Sequence, residues 1–212
     1  MIDTKKDLPM LFDGPANGPA VVLAHGAGAP MDSAFMNTVA RGLAAGGARV
    51  ARFEFPYMRR RRETGKGGAP DRQPALCEAW LAAIEALGGG GRLVIGGKSL
   101  GGRIASMVAD EAGVRGLVCL GYPFHPPGQP DRLRTAHLKD LRTPTLIVQG
   151  TRDPFGSRED VAGYDLSPQI RILWLEDGDH SFKPRASSGR TERQHVEEAV
   201  AAVVGFLKSL TP

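Results

Sequence analysis

Short apolar runs alternate with helix-length amphipathic segments along almost the whole chain, and this alternation restricts the possible folds more than any other feature. Ala20–Ala24 (AVVLA) and Val50–Phe55 read as buried strands separated by a helix over about Ser33–Ala45. Arg72–Leu87 carries Leu76, Trp80, Ala83, Ile84 and Leu87 at helical spacing. Leu93–Ile95 is a third strand, followed at once by a helix from Leu100 to about Ala112. Gly116–Leu120, Thr145–Gln149 and Ile170–Leu175 are β-rich, and an amphipathic helix from about Arg193 to Leu210 closes the series. Strands that are apolar throughout are covered on both faces. The intervening helices supply the crossovers that parallel strands require. The expected class is α/β, a three-layer α/β/α sandwich with a mostly parallel sheet of about six strands. Residues 1–212 are expected to form one domain, with Gly65–Pro74 and Pro123–Pro130 as loops rather than linkers. Between Gly121 and Arg142 there is room for about one short helix, too little for a cap domain.

Gly97-Lys98-Ser99-Leu100-Gly101 fits the pattern G-x-S-x-G, and its position between the LVI strand and the LGGRIASMVA helix makes it informative. Serine on so sharp a turn has a strained backbone and projects its hydroxyl beyond the strand ends. Residues two before and two after it crowd the turn, which suits Gly97 and Gly101. The next helix aims its N-terminus at the serine, favouring developing negative charge. A phosphate-binding loop ending in Gly97-Lys98-Ser99 would need glycine five residues earlier, where Arg92 stands, and a loop in place of Leu93–Ile95. Gly26-Ala27-Gly28 lacks the third glycine of a dinucleotide-binding turn.

A serine hydroxyl becomes a useful nucleophile when a base takes its proton and a carboxylate orients that base. The strand TLIVQ runs into Gly150-Thr151-Arg152-Asp153, which places Asp153 just past a strand end. The strand ILWLE runs into Asp177-Gly178-Asp179-His180, which places His180 at the same edge. Ser99, Asp153 and His180 are therefore expected to converge where open α/β sheets bind ligands. Asp160 and Asp165 lie too far past the strand end to serve as the acid. His137 and His195 are expected to face solvent, and His25 to hydrogen-bond within its own loop. Backbone amides of Leu100 and Ala27, with Gly26 as the nearest rival to Ala27, would form an oxyanion hole. Gly26, Lys98 and Tyr122 are candidate substrate contacts.

Composition excludes other classes. The formal charge is +4, much of it from the run Arg59–Arg62, which is expected in a solvated loop after Val50–Phe55 and not on a nucleic-acid-binding face. Cys77 and Cys119 belong to no CxxC pair or metal-ligand spacing and read as reduced core thiols, with no metal or cofactor implied. No apolar run approaches the roughly 20 residues that span a bilayer, and the polar start 1–7 lacks a secretory signal. A cytoplasmic protein that binds no membrane is expected, its oligomeric state open.

HGAGAPM (His25–Met31), FEFPYM (Phe53–Met58), GGKSLGGR (Gly96–Arg103), GYPFHPPG (Gly121–Gly128), QGTRDPFG (Gln149–Gly156) and DGDHSF (Asp177–Phe182) together resemble α/β-hydrolases of the dienelactone-hydrolase-like type. The resemblance is closer to the predicted bacterial hydrolases related to testis-expressed protein 30 and NSL-complex subunit 3. It implies the α/β-hydrolase fold and hydrolase chemistry. Dienelactone hydrolase itself uses cysteine where this chain has Ser99, so the expectation is a serine hydrolase acting on a small ester or thioester through an acyl-enzyme. The animal relatives include a chromatin-complex subunit, which keeps a non-catalytic interaction module open. So does the sequence for acyl transfer or peptide hydrolysis with the same triad.

Overall fold

The computed structural model describes residues 8–210, so the polar stretch 1–7 lies outside the described residues. Among these residues seven strands form one sheet: β1 (Met10–Asp13), β2 (Ala20–Ala24), β3 (Arg49–Phe53), β4 (Leu93–Lys98), β5 (Gly116–Leu120), β6 (Thr145–Gly150) and β7 (Ile170–Leu175). Their order is β1-β3-β2-β4-β5-β6-β7, with β1 antiparallel to β3 and every other pair parallel. The six parallel strands are those expected from sequence; β1 is an addition. It is four residues long and lies at the sheet edge, with Phe12 53% exposed, so it carries no buried run to announce it.

Among the described residues six α-helices flank the sheet: α1 (Ala34–Ala45), α2 (Pro56–Thr64), α3 (Gln73–Ala86), α4 (Leu100–Val108), the single turn α5 (Arg158–Val161) and α6 (Glu192–Ser209). Because side chains alternate across a strand, each central strand feeds two cores. Val22, Ala24, Ile95, Leu117, Cys119 and Ile147 pack with Trp80 of α3 and Ile104 of α4. Val21, Leu23, Val94, Val118, Leu120, Leu146 and Val148 pack with Met36 and Leu43 of α1 and Val203 and Phe206 of α6. This double coverage explains why the strands read as apolar throughout.

Local signals fix the helix ends. The Ser33 side chain accepts the Met36 amide at the start of α1, and Thr191 and Gln194 form a reciprocal capping box on α6. The arginine run corrects the sequence expectation, because Arg59–Arg62 lie in α2 and not in a loop. Pro56 at the first helical turn and left-handed Gly65 after the last supply the start and stop. The residues between β5 and β6 form turns without a helix, so even the short helix expected there is absent among the described residues. No helix among the described residues is long and apolar enough to cross a membrane.

Candidate active site

Ser99 occupies the single residue between β4 and α4, and its backbone has φ 50° and ψ −113°. A non-glycine residue pays for such angles in strain, of order 1–3 kcal/mol. The turn is tight because β4 and α4 both press on β2. A Cβ at Gly97 would lie 2.1 Å from the Ala24 carbonyl oxygen, and one at Gly101 would lie 2.4 Å from the same atom. Only glycine fits at either position.

The parallel register places the ends of β4, β6 and β7 along one edge. There the His180 Nε2 is 2.9 Å from Ser99 Oγ, and its Nδ1 is 2.7 Å from Asp153 Oδ2. With the Nδ1 proton directed at Asp153, Nε2 accepts from the serine hydroxyl. Asp153 is fully buried, and its other oxygen accepts the Phe155 amide at 2.8 Å. The His180 side chain remains 20% exposed and packs on the Phe155 ring, 4.2 Å between centroids. Asp160, the rejected alternative acid, is used in the capping box of α5. Asp177 is bound by Arg185 and Arg152, whose cations hold its carboxyl down to about 2, with the Arg185 hydrogen bond the largest cause. Asp179 accepts the amides of Ser181 and Lys183.

The loop after β2 is held from behind. His25 Nε2 accepts the Phe55 amide at 3.2 Å, leaving the Nδ1 proton for the Gly26 carbonyl at 2.7 Å. Burial lowers the His25 pKa, consistent with a neutral ring. The Tyr57 hydroxyl lies 3.3 Å from the Gly26 oxygen and 3.2 Å from the Ala27 oxygen, and Arg61 reaches the latter at 3.4 Å. In a trans peptide the N–H opposes the C=O. Fixing the Gly26 carbonyl toward Tyr57 therefore turns the Ala27 N–H the other way. At the second candidate donor, Leu100, the first residue of α4, the amide has no carbonyl one turn earlier within its helix.

A cavity of about 560 Å³ opens above these groups, and its lining includes the Gly26–Ala29 loop, Lys98, Ser99, Phe155, His180 and Glu192. Of the three candidate substrate contacts, Gly26 and Lys98 line it and Tyr122 does not. Tyr122 is fully buried, with its hydroxyl on the Arg134 carbonyl at 3.0 Å and its amide on Gln149, so its part is structural. Two further expectations are corrected. His195 is fully buried and bonds the Phe182 carbonyl at 2.8 Å, because it shares the buried face of α6 with Val196 and Ala199. His137 is half-buried against Ser106, 2.8 Å away, and burial lowers its pKa to about 4.

Two residues important to this geometry escaped the sequence reading, Tyr57 and Gln149. Gln149 is fully buried at the end of β6, where its amide donates to Asp153 at 3.0 Å and accepts from Tyr122 at 2.7 Å. A polar residue in a strand covered on both faces must find such partners, and that was the available signal. Tyr57 gave none, since its partners lie about thirty residues away.

A profile of the alpha/beta hydrolase domain matches residues 17–208. The chain belongs to the α/β-hydrolase family. Among curated proteins, this hydrolase is 32% identical over 173 residues to the "Putative protein-lysine deacylase ABHD14B" of Rattus norvegicus, covering 78% of each chain. Among solved structures it resembles a monoacylglycerol lipase of Paleococcus ferrophilus, with TM-score 0.70 and 17% identity over 97% of this chain and 100% of that one. It also resembles ferulic-acid-bound Est1E of Butyrivibrio proteoclasticus, with TM-score 0.69 and 15% identity over 95% of this chain and 94% of that one. At such identities these likenesses concern the fold. The family supports hydrolase activity.

Proposed function

We propose that this protein is a serine hydrolase that cleaves small carboxylic esters or thioesters through an acyl-enzyme. The observation that carries the reading is the continuous chain Ser99–His180–Asp153, with contacts of 2.9 and 2.7 Å. Ser99 Oγ attacks the acyl carbonyl carbon as its proton passes to His180 Nε2, and Asp153 holds the resulting imidazolium. The carbonyl oxygen gains the negative charge, and the amides of Leu100 and Ala27 are the donors positioned to receive it. Collapse expels the alcohol or thiol, which takes the proton from His180. Water then repeats the sequence in reverse on the acyl-enzyme, with His180 as base, and releases the acid.

Cavity shape supports small or soluble substrates. Phe35, Met36, Ala29 and Phe155 give apolar walls for an acyl chain, and no helix lies over the mouth from the β5–β6 segment. Hydrolysis of p-nitrophenyl esters should peak at short chains and show no jump above the critical micelle concentration. A steep interfacial jump would contradict an open site. The deacylase name of the 32%-identical relative supports one further substrate type, an acylated lysine side chain, since His180 can protonate a departing amine as it does an alcohol. Release of acetate from an acetyl-lysine peptide at a rate comparable to that of an ester would favour this second reading.

A further inference from the structure

Lys98 sits between the elbow glycine Gly97 and Ser99, and its ammonium is spent inside the protein. Nζ donates to the backbone carbonyl of His180. Aromatic faces enclose the cation on two sides, Phe35 of α1 with its centroid at 5.6 Å and Phe182 at 5.4 Å. Room for this contact comes from Gly121 at the end of β5. A Cβ there would lie 2.7 Å from Lys98 Nζ and 3.1 Å from the His180 oxygen. Phe35, Phe182 and Gly121 thus leave a slot for one ammonium beside the His180 backbone. Lys98 is adjacent in sequence to the nucleophile and 82 residues before His180, so this bond ties the loop that bears His180 to the turn that bears Ser99.

We propose that Lys98 is a positioning residue, whose ammonium pins the His180 carbonyl so that the imidazole stays between Asp153 and Ser99. This rests on the reading of Ser99 as the nucleophile. It also reassigns Lys98, because a cation held by a carbonyl and two rings is not free to bind a substrate carboxylate. The charged groups facing it are Asp153 after β6 and Asp179 after β7. Glu192 also lines the cavity, and the contacts from α1 and from the residue after β5 are the non-titrating Phe35 and Gly121. Burial outweighs both carboxylates and lowers the lysine to about 8. Two consequences follow. At pH 7 the protein holds a desolvated ammonium at a cost in stability, and between about 8 and the unfolded lysine value of about 10.4 stability rises with pH. Above about pH 8 the charge-assisted bond to His180 weakens to that of a neutral amine.

The test is the rate of Ser99 labelling by a fluorophosphonate from pH 6 to 10, as maximal rate and half-saturating concentration, in the wild type and Lys98→Met. Methionine matches the lysine stem without charge or donor. At pH 7 the variant should label at least about tenfold more slowly with half-saturation unchanged, while its Tm rises because a buried charge is gone. The wild-type maximal rate should fall as pH passes 8, and the variant's should not. A maximal rate unaltered by the substitution, or a loss confined to half-saturation, overturns the positioning role. Slow labelling with a lower Tm, and with the same pH profile in wild type and variant, would mean a merely structural lysine and overturn the proposal. Wild-type protein that resists the probe at every pH instead overturns the reading of Ser99 and this proposal with it.

Discussion

The loops after β6 and β7 are fastened by carboxylates and buried amides, whereas the loop after β2 is fastened chiefly by one phenol and one imidazole acting on carbonyls. On the first side, Asp153 accepts from Gln149, Phe155 and His180, and Asp177 and Asp179 brace the turn that carries His180. That turn holds two non-glycine residues at positive φ, Asp177 at 59° and Phe182 at 69°. On the second side, Tyr57 and His25 orient peptides whose own reactive group is a backbone N–H. The difference follows from what each side presents. An imidazole must be held in one tautomer and one rotamer, which takes charged and buried partners. A backbone donor needs only its peptide plane set. Damage to the first side should therefore remove the chemistry, and damage to the second should grade it.

The largest expected effect is on the carboxylate side. Asp153→Asn removes the acceptor for the His180 Nδ1 proton and should slow ester hydrolysis by about 10³–10⁴-fold through the wrong tautomer, with half-saturation little changed. Loss of less than tenfold would show that Asp153 does not orient the base. Gln149→Leu comes next. It leaves a fully buried Asp153 oxygen without one donor and the Tyr122 amide without its acceptor. Thermal unfolding should report about 1–3 kcal/mol of lost stability, together with a fall in kcat. A stable protein with full kcat would reduce Gln149 to filler.

Tyr57→Phe tests the other side more gently. The backbone donor stays in place but its peptide is less firmly set, so kcat should fall by about tenfold at most, below the 10²–10³ typical of losing a donor outright. An effect as large as that of Asp153→Asn would erase the contrast between the two loops. Smallest of all is Arg60→Ala. Its partner Asp71 forms a surface pair with it, worth about 0–1 kcal/mol, and neither residue lines the cavity. KM for a neutral ester and for a carboxylate-bearing ester should both stay within about twofold. A rise confined to the anionic ester would show that α2 steers charged substrates.

Much of this was legible in the sequence where one element carried the signal. Ser99 stood out because G-x-S-x-G fell between a strand and a helix, and Asp153 and His180 because each followed a strand by a few residues. The six parallel strands read clearly because burial on both faces leaves unbroken apolar runs. What stayed hidden depends on pairings across the chain. β1 is an edge strand recognisable only by its partner β3. The arginine run looked like a loop because its charge masked the Pro56 and Gly65 boundary signals of α2. His195 is the exception, because the spacing of Val196, Ala199 and Val203 within α6 itself marks that side of the helix as buried. The enclosure of Lys98 by His180, Phe35 and Phe182 is another such cross-chain pairing.

The central claim, that the strained serine after β4 is an activated nucleophile, is tested most directly by intact-protein and peptide mass spectrometry after fluorophosphonate treatment. The expected result is a single adduct on Ser99. The adduct should be absent in Ser99→Ala, whose Tm is unchanged or raised because the site's constraints favour function over stability. His180→Ala should form it about 10²–10⁴-fold more slowly. Folded wild-type protein that gains no mass between pH 6 and 9, or that carries its adduct on another residue, would contradict the claim.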